Sequence, residues 1–189
     1  IMGPNGSGKS TLAAALMGHP GYSVRAEKLM FAGKSIMKLP ADKRARLGMF
    51  MGFQYPLALS GVSLSTVLPA AISAREIPKK KVASKAFTLA QQEFTVQQNV
   101  LSEFRSQIAS LLPLVGMDES MLYRGINDGF SGGEKKKAEI FQMLALKPKL
   151  AILDEPDSGL DVDALKKIAK AIHFAHQQGI AIILITHYQ

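Results

Sequence analysis

Gly3-Pro4-Asn5-Gly6-Ser7-Gly8-Lys9-Ser10 is the stretch on which the fold turns. Its spacing is G-x-x-x-x-G-K-S, the Walker A form of a phosphate-binding loop. The glycines let the backbone turn tightly and aim its N–H groups at phosphate oxygens. In this pattern the lysine, Lys9, reaches the β- and γ-phosphates, and the hydroxyl of Ser10 reaches a Mg²⁺ ion. The run Thr11-Leu12-Ala13-Ala14-Ala15-Leu16-Met17 then predicts a helix whose positive dipole end faces the same phosphates.

Outward from that loop, three apolar runs predict buried strands of a parallel sheet covered on both faces. They are Gly48–Phe53, Leu150–Leu153 and Ile180–Ile185. In such a sheet every strand delivers its last residues to one edge, where ligands bind. The three runs end in Gln54, in Asp154-Glu155 and in Thr186-His187. Charge and reach suggest roles. Asp154 holds Mg²⁺ through a water. Glu155 points elsewhere and orients or deprotonates the water that attacks the γ-phosphorus. His187 donates to the γ-phosphate or fixes that water. Gln54 offers its amide oxygen to the metal and the water.

Between the strands the texture changes. Residues 63–125 carry few strand signals, and Val82 to Pro113 has apolar positions at helical spacing, among them Phe87, Phe94, Leu101, Phe104, Ile108 and Leu111. A helical insertion accounts for this, with the stripe as its core. Ala41–Arg46 and Asp161–Gln178 predict further helices, and residues 20–40 predict short strands and turns.

Composition sets bounds. The 189 residues are 47% hydrophobic and 20% charged, the balance of a globular protein with a sizeable core. The absence of cysteine excludes disulfides, thiol catalysis and Cys-ligated metal in this stretch, and it suits a reducing compartment. The longest aliphatic run, Ile180–Ile185, is too short to span a bilayer. The formal charge of +8 is concentrated in Lys43-Arg44-Ala45-Arg46, Lys79-Lys80-Lys81 and Lys135-Lys136-Lys137. A polyanion or an acidic partner fits these clusters, and solvated helix faces fit them equally. No aromatic residue interleaves with the lysines, which argues against a nucleic-acid surface of the stacking kind. His173 and His176 share a helix face without a third ligand nearby, which argues against a metal site. A phosphate-binding loop follows a strand, yet only Ile1-Met2 precede Gly3, and the chain stops just after a strand. It therefore reads as truncated at both ends.

The ordered motifs resemble the ATP-binding-cassette (ABC) ATPases over nearly the whole chain. Gly3–Thr11 is similar to their Walker A, Gln54 to the Q-loop, Ser131-Gly132-Gly133-Glu134 to the signature sequence and Leu150–Glu155 to Walker B. Ser158-Gly159-Leu160-Asp161 is similar to the D-loop and His187 to the switch histidine. The resemblance implies an α/β fold: a P-loop NTPase with a mostly parallel sheet flanked by helices and an inserted helical subdomain. Residues 1–54 and 147–189 would form the core, and 55–146 the subdomain with the signature helix. It implies ATP and Mg²⁺ as cofactors. Gly3, Pro4, Asn5, Gly6, Ser7, Gly8, Lys9, Ser10, Thr11, Ser131, Gly132, Gly133, Glu134 and Asp161 would contact nucleotide, while Ser10, Gln54 and Asp154 would hold metal. It also implies an ATP-dependent head-to-tail homodimer, in which Ser131 serves the partner's nucleotide.

Within the family, Phe130–Lys137, Glu139–Met143, Leu153–Leu165 and Thr186–Gln189 resemble the ATPase branch of the Suf iron–sulfur cluster assembly system. Pro156 and Lys137 depart from that branch's usual residues. The resemblance implies SufB- and SufD-like scaffold partners and a place in the cytoplasm, or in the plastid stroma of a photosynthetic eukaryote. A membrane permease is the partner under the transporter alternative. A nucleic-acid or ribosome-associated member of the class has only the net charge in its favour. The run Tyr55-Pro56-Leu57-Ala58-Leu59 is too apolar for a solvated loop, which makes it the expected docking face.

Overall fold

The computed structural model describes residues 1–76 and 86–186, with side chains described outside 76–100. In chain order its elements are α1 (Lys9–Met17), β1 (Met30–Phe31), β2 (Lys34–Ser35), α2 (Ala41–Arg46), β3 (Met49–Gly52), β4 (Leu59–Ser63) and α3 (Leu64–Glu76). There follow α4 (Ala86–Val115), a 3₁₀ turn at Glu119–Leu122, β5 (Gly125–Ile126), α5 (Gly132–Leu146), β6 (Leu150–Asp154), α6 (Val162–Gln177) and β7 (Ala181–Ile185). The chain divides into two units, Ile1–Pro56 with Lys147–Gln189, and Leu57–Leu146.

The first unit is built on a parallel sheet of order β3-β6-β7. Met49 pairs with Leu150, and Leu150 in turn with Ala181, so the strands run in register toward one edge. Met49, Met51, Ile152 and Ile185 are buried with Ala13 of α1 and Ile36. Helix α6 turns Ala164, Ile168, Ala171 and Ala175 inward, a spacing of four, three and four residues that gives one apolar stripe. The Ile1 amine donates to Leu184 O at 2.6 Å, and Thr186 N donates to Ile1 O at 3.3 Å. The entry to the phosphate-binding loop therefore lies beside the end of β7.

Helix α1 ends on Gly18, whose φ of 78° is left-handed. Arg44 closes this end. Its Nη1 donates to Ala15 O at 3.0 Å and to Leu16 O at 2.7 Å, and its Nε donates to Leu39 O at 2.7 Å. A Cβ on Gly18 would stand 2.8 Å from Arg44 Nε, a second reason for glycine there. Arg44 is only 2% exposed, and burial lowers its pKa. It is a buried clamp on helix-terminal carbonyls and no part of a solvated basic face. Lys136 is also buried, which separates it from the lysine cluster in which it stands.

The second unit is mainly helical. Leu64 and Leu68 of α3, Phe104, Leu111, Leu112 and Val115 of α4, and Ile140, Phe141 and Leu144 of α5 are among its buried apolar residues. The predicted stripe of α4 is seen at Phe104 and Leu111, while Phe87 and Phe94 lie outside the described side chains. This unit also holds a ribbon that the sequence did not suggest. Strands β4 and β5 pair antiparallel, Leu59 with Ile126 and Ser63 with Gly125. Asn127, at φ 59°, ties the ribbon's far end down by donating from Nδ2 to Leu57 O at 2.9 Å.

Candidate functional site

The phosphate-binding loop takes the shape its glycines permit. Gly6 and Gly8 stand at φ 79° and 91°, left-handed conformations that other residues adopt at a cost. Lys9 begins α1, so the amides of the first helical turn open onto the loop. Its Nζ donates to Gly3 O at 2.8 Å and to Pro4 O at 3.0 Å, folding the ammonium group back over the loop. Asn5, Gly6, Gly8, Lys9, Ser10 and Thr11, with Gln54 and Glu155, line a cleft of about 300 Å³. That volume sits at the lower end of small-ligand sites.

The strand ends meet there as the parallel sheet requires. Gln54, just past β3, donates from Nε2 to Glu155 Oε2 at 2.7 Å. Asp154, the last residue of β6, is 3% exposed, and its Oδ1 has no hydrogen-bond partner. A buried carboxylate oxygen without a donor is costly unless a cation satisfies it. The Asp154 carboxylate and a hydroxyl such as that of Ser10 have the donor chemistry of a Mg²⁺ site. Glu155 is 8% exposed and has a φ of 49°. His187 lies outside the described residues.

The remaining predicted residues take structural partners. Asp161 is the N-cap of α6, its Oδ1 accepting from Ala164 N at 2.8 Å. Ser131 caps α5 in the second unit. Its amide donates to Glu134 Oε2 at 2.7 Å, and its Oγ accepts from Glu134 N at 3.3 Å, a reciprocal capping box. The Ser131 amide, and after it the Ser131 hydroxyl, hold the Glu134 carboxyl below its usual pKa, with lesser help from Arg124 and Lys137. Gly132 and Gly133 open the helix behind Ser131. His173 is engaged with Gln177 at 3.0 Å, and no cluster of three acidic or imidazole groups suited to a metal occurs among the described residues.

Sequence reasoning passed over Arg124. Its guanidinium lies 5.0 Å over the Phe130 ring, and its Nη2 donates to the Asp128 and Gly129 carbonyls at 3.3 and 3.4 Å. It fixes the turn that presents Ser131. A lone arginine seven residues before a capping serine carries no sequence signal of that task.

A glycine loop feeding a helix, an orphaned carboxylate at the end of β6 and a glutamate beside it define the class: a nucleoside-triphosphate-binding P-loop protein. The ABC transporter family matches residues 1–158, and the chain belongs to that family as an ATP-binding, ATP-hydrolysing subunit. It is 48% identical over all 189 residues to "Probable ATP-dependent transporter ycf16" of Pyropia yezoensis, covering 69% of that protein. It is 41% identical to "Vegetative protein 296" of Bacillus subtilis, covering 66% of it. The chain thus spans about two thirds of the length of these relatives. Among solved structures it superposes on an ATP-binding subunit of an ABC transporter with a TM-score of 0.72 at 24% identity, over 98% of this chain and 66% of that one. It also superposes on the dimeric cassette MJ0796 bound to ADP and Pi, with a TM-score of 0.66 at 19% identity, over 100% and 73% of the two chains. At these identities the likeness is one of fold.

No described helix is long and apolar enough to cross a membrane.

Proposed function

We propose that this chain is the motor of a SufC-like ATPase, which hydrolyses Mg-ATP to drive shape changes in a soluble, SufB/SufD-like iron–sulfur scaffold. The observation that carries the hydrolytic reading is the cleft in which Lys9, Ser10, Gln54 and Glu155 converge beside the orphaned Asp154 carboxylate. When bound, Mg²⁺ would supply charge neutralisation at the β/γ oxygens, with Ser10, Asp154 and Gln54 as the residues to hold it. Lys9 exchanges the Gly3 and Pro4 carbonyls for phosphate oxygens, and the loop amides take the rest. Glu155 orients the attacking water and accepts its proton. The water oxygen bonds to the γ-phosphorus as the bond to the β–γ bridging oxygen breaks, and ADP and phosphate leave. His187 is assigned to the γ-phosphate or to that water. Ser131-Gly132-Gly133 is assigned to the nucleotide of a second, head-to-tail copy.

The scaffold reading rests on the wording of residues 130–165. The inserted unit supplies a surface for it: Leu57 is 81% exposed and Leu59 52%, with Val62 also exposed. Such side chains placed together mark contact surfaces. The names of the relatives speak instead for a transporter subunit, which would dock on a permease. Both readings place the partner on this patch. Affinity purification of the full-length protein from its source separates them: soluble scaffold proteins are the expected companions, and an integral membrane protein would establish the transporter reading. Leu57→Asp with Leu59→Asp is expected to weaken the scaffold complex while sparing ATP affinity. Undiminished partner binding would remove the docking assignment.

A further inference from the structure

Glu155 is held in a conformation its sequence does not favour. It is a non-glycine residue at φ 49°, and it precedes Pro156, which steers the residue before it toward extended backbone. Left-handed backbone in such a residue persists only where its surroundings over-determine it. Two bonds from the end of β7 do so. Glu155 N donates to Ile185 O at 2.9 Å, which fixes the near side of the turn. The Thr186 hydroxyl donates to Asp157 Oδ2 at 2.5 Å, which fixes the far side. Inside the turn Ser158 N donates to Glu155 O at 3.2 Å. The first bond and the third are backbone to backbone and belong to any sequence that makes this turn. The bond between Thr186 and Asp157 depends on two particular side chains, 29 residues apart.

We propose that Thr186 and Asp157 are positioning residues for hydrolysis: their hydrogen bond clamps the strained turn that aims Glu155 into the nucleotide cleft. Neither side chain lines that cleft. The clamp acts through the backbone of Glu155. A hydroxyl donating to a carboxylate is charge-assisted and short, stiff enough to hold such a turn. Opening it lets residues 155–157 relax toward extended backbone, and the carboxylate then leaves its place beside Gln54. Nucleotide binding rests on the Gly3–Thr11 loop and stays intact. The inference rests on the assignment of Glu155 as the residue that serves the attacking water.

The test uses the full-length protein with Mg-ATP and three variants. Thr186→Val keeps the shape and loses the hydroxyl; Thr186→Ser keeps the hydroxyl; Asp157→Asn keeps the shape and weakens the acceptor. Thr186→Val is expected to lower kcat about tenfold or more, the loss that follows from a hydrogen bond to a charged group, with KM for ATP unchanged within about twofold. Thr186→Ser should restore kcat to within about twofold of the parent. Thr186→Val combined with Asp157→Asn should be no slower than the slower single variant, because both remove one bond. Calorimetric ATP affinity is the control for folding. A parental kcat in Thr186→Val overturns the proposal. So does equal impairment of Thr186→Ser, additive losses in the double variant, or loss of ATP binding. Glu155→Gln is run beside them. If it keeps parental turnover, the assignment of Glu155 fails; if it is inactive while Thr186→Val is not, only the clamp fails.

Discussion

The two units hold their functional residues by different means. In the first, side chains are delivered by strand ends: β3 leads into Gln54, β6 ends on Asp154 and leads into Glu155, and the phosphate-binding loop enters beside β7. Parallel register brings them to one edge, and the turn after β6 adds one side-chain bond, Thr186 to Asp157. In the second, Ser131 depends on a local device, a capping box with Glu134 and a turn pinned by Arg124. A strand-end site tolerates surface changes around it and fails when a group in the cleft, or the turn that aims it, changes. A capping-box site has a stability of its own, and pH and single substitutions alter it without touching the cleft. Variants in the first unit should therefore change what one subunit does to nucleotide. Variants at the second site should change the subunit's stability and its assembly.

The largest effect is expected from Glu155→Gln. The amide preserves the shape but cannot take the water's proton, so steady-state hydrolysis should fall by roughly 10²–10⁴-fold with ATP affinity retained. Hydrolysis at the parental rate would detach the chemistry from the end of β6 and break the strand-end account. Next in size is Lys9→Ala. It removes an ammonium group already within the loop, at 2.8 Å from Gly3 O. Loss of a charge-assisted contact costs roughly 1.5–3 kcal/mol, and calorimetry should show weaker Mg-ATP binding to match. Unchanged affinity would contradict the phosphate-binding loop.

Legibility in the sequence divides along the same line. A buried parallel strand is a continuous apolar run, and its polar terminus stands out; that is why Gln54, Asp154 and Glu155 were legible, and why β3, β6 and β7 fall where the runs predict. The β4–β5 ribbon was not legible. Leu59–Ser63 is exposed nearly throughout and broken by Gly61, and its partner is a two-residue strand more than sixty positions away. Neither segment has a period to read. In the sequence Arg44 stands in a basic cluster that fits a polyanion, an acidic partner or a solvated helix face, and burial is none of these. Its acceptors are backbone carbonyls at residues 15, 16 and 39, and carbonyls leave no mark in a sequence. Arg124 and the pair Thr186–Asp157 were missed for the same reason: they act through contacts that only the folded chain creates.

The smallest effect concerns the capping box and gives the sharpest contrast between the units. Ser131 N donates to the Glu134 carboxylate, and this bond, first among its influences, lowers the folded pKa below the ordinary 4.5. Arg124 and Lys137 face the same group and act in the same direction. A depressed folded pKa means that the charged form is favoured by folding. The stabilisation is then fully present above about 4.5 and is lost as pH falls through the lower folded value. Protonation removes the anion from the helix N-terminus, where the dipole favours negative charge. Glu134→Gln retains an oxygen that can accept from Ser131 N but never carries the charge. Its melting temperature should lie slightly below that of the parent near neutral pH, and the gap should close as the pH is lowered past 4.5. Because Glu134 lies on the second unit, ATP affinity of the isolated subunit should not change at either pH. A gap that persists at acid pH would mean that shape, and not charge, holds the cap. A change in ATP affinity with the variant would show that the two units are not separate in the way the comparison holds.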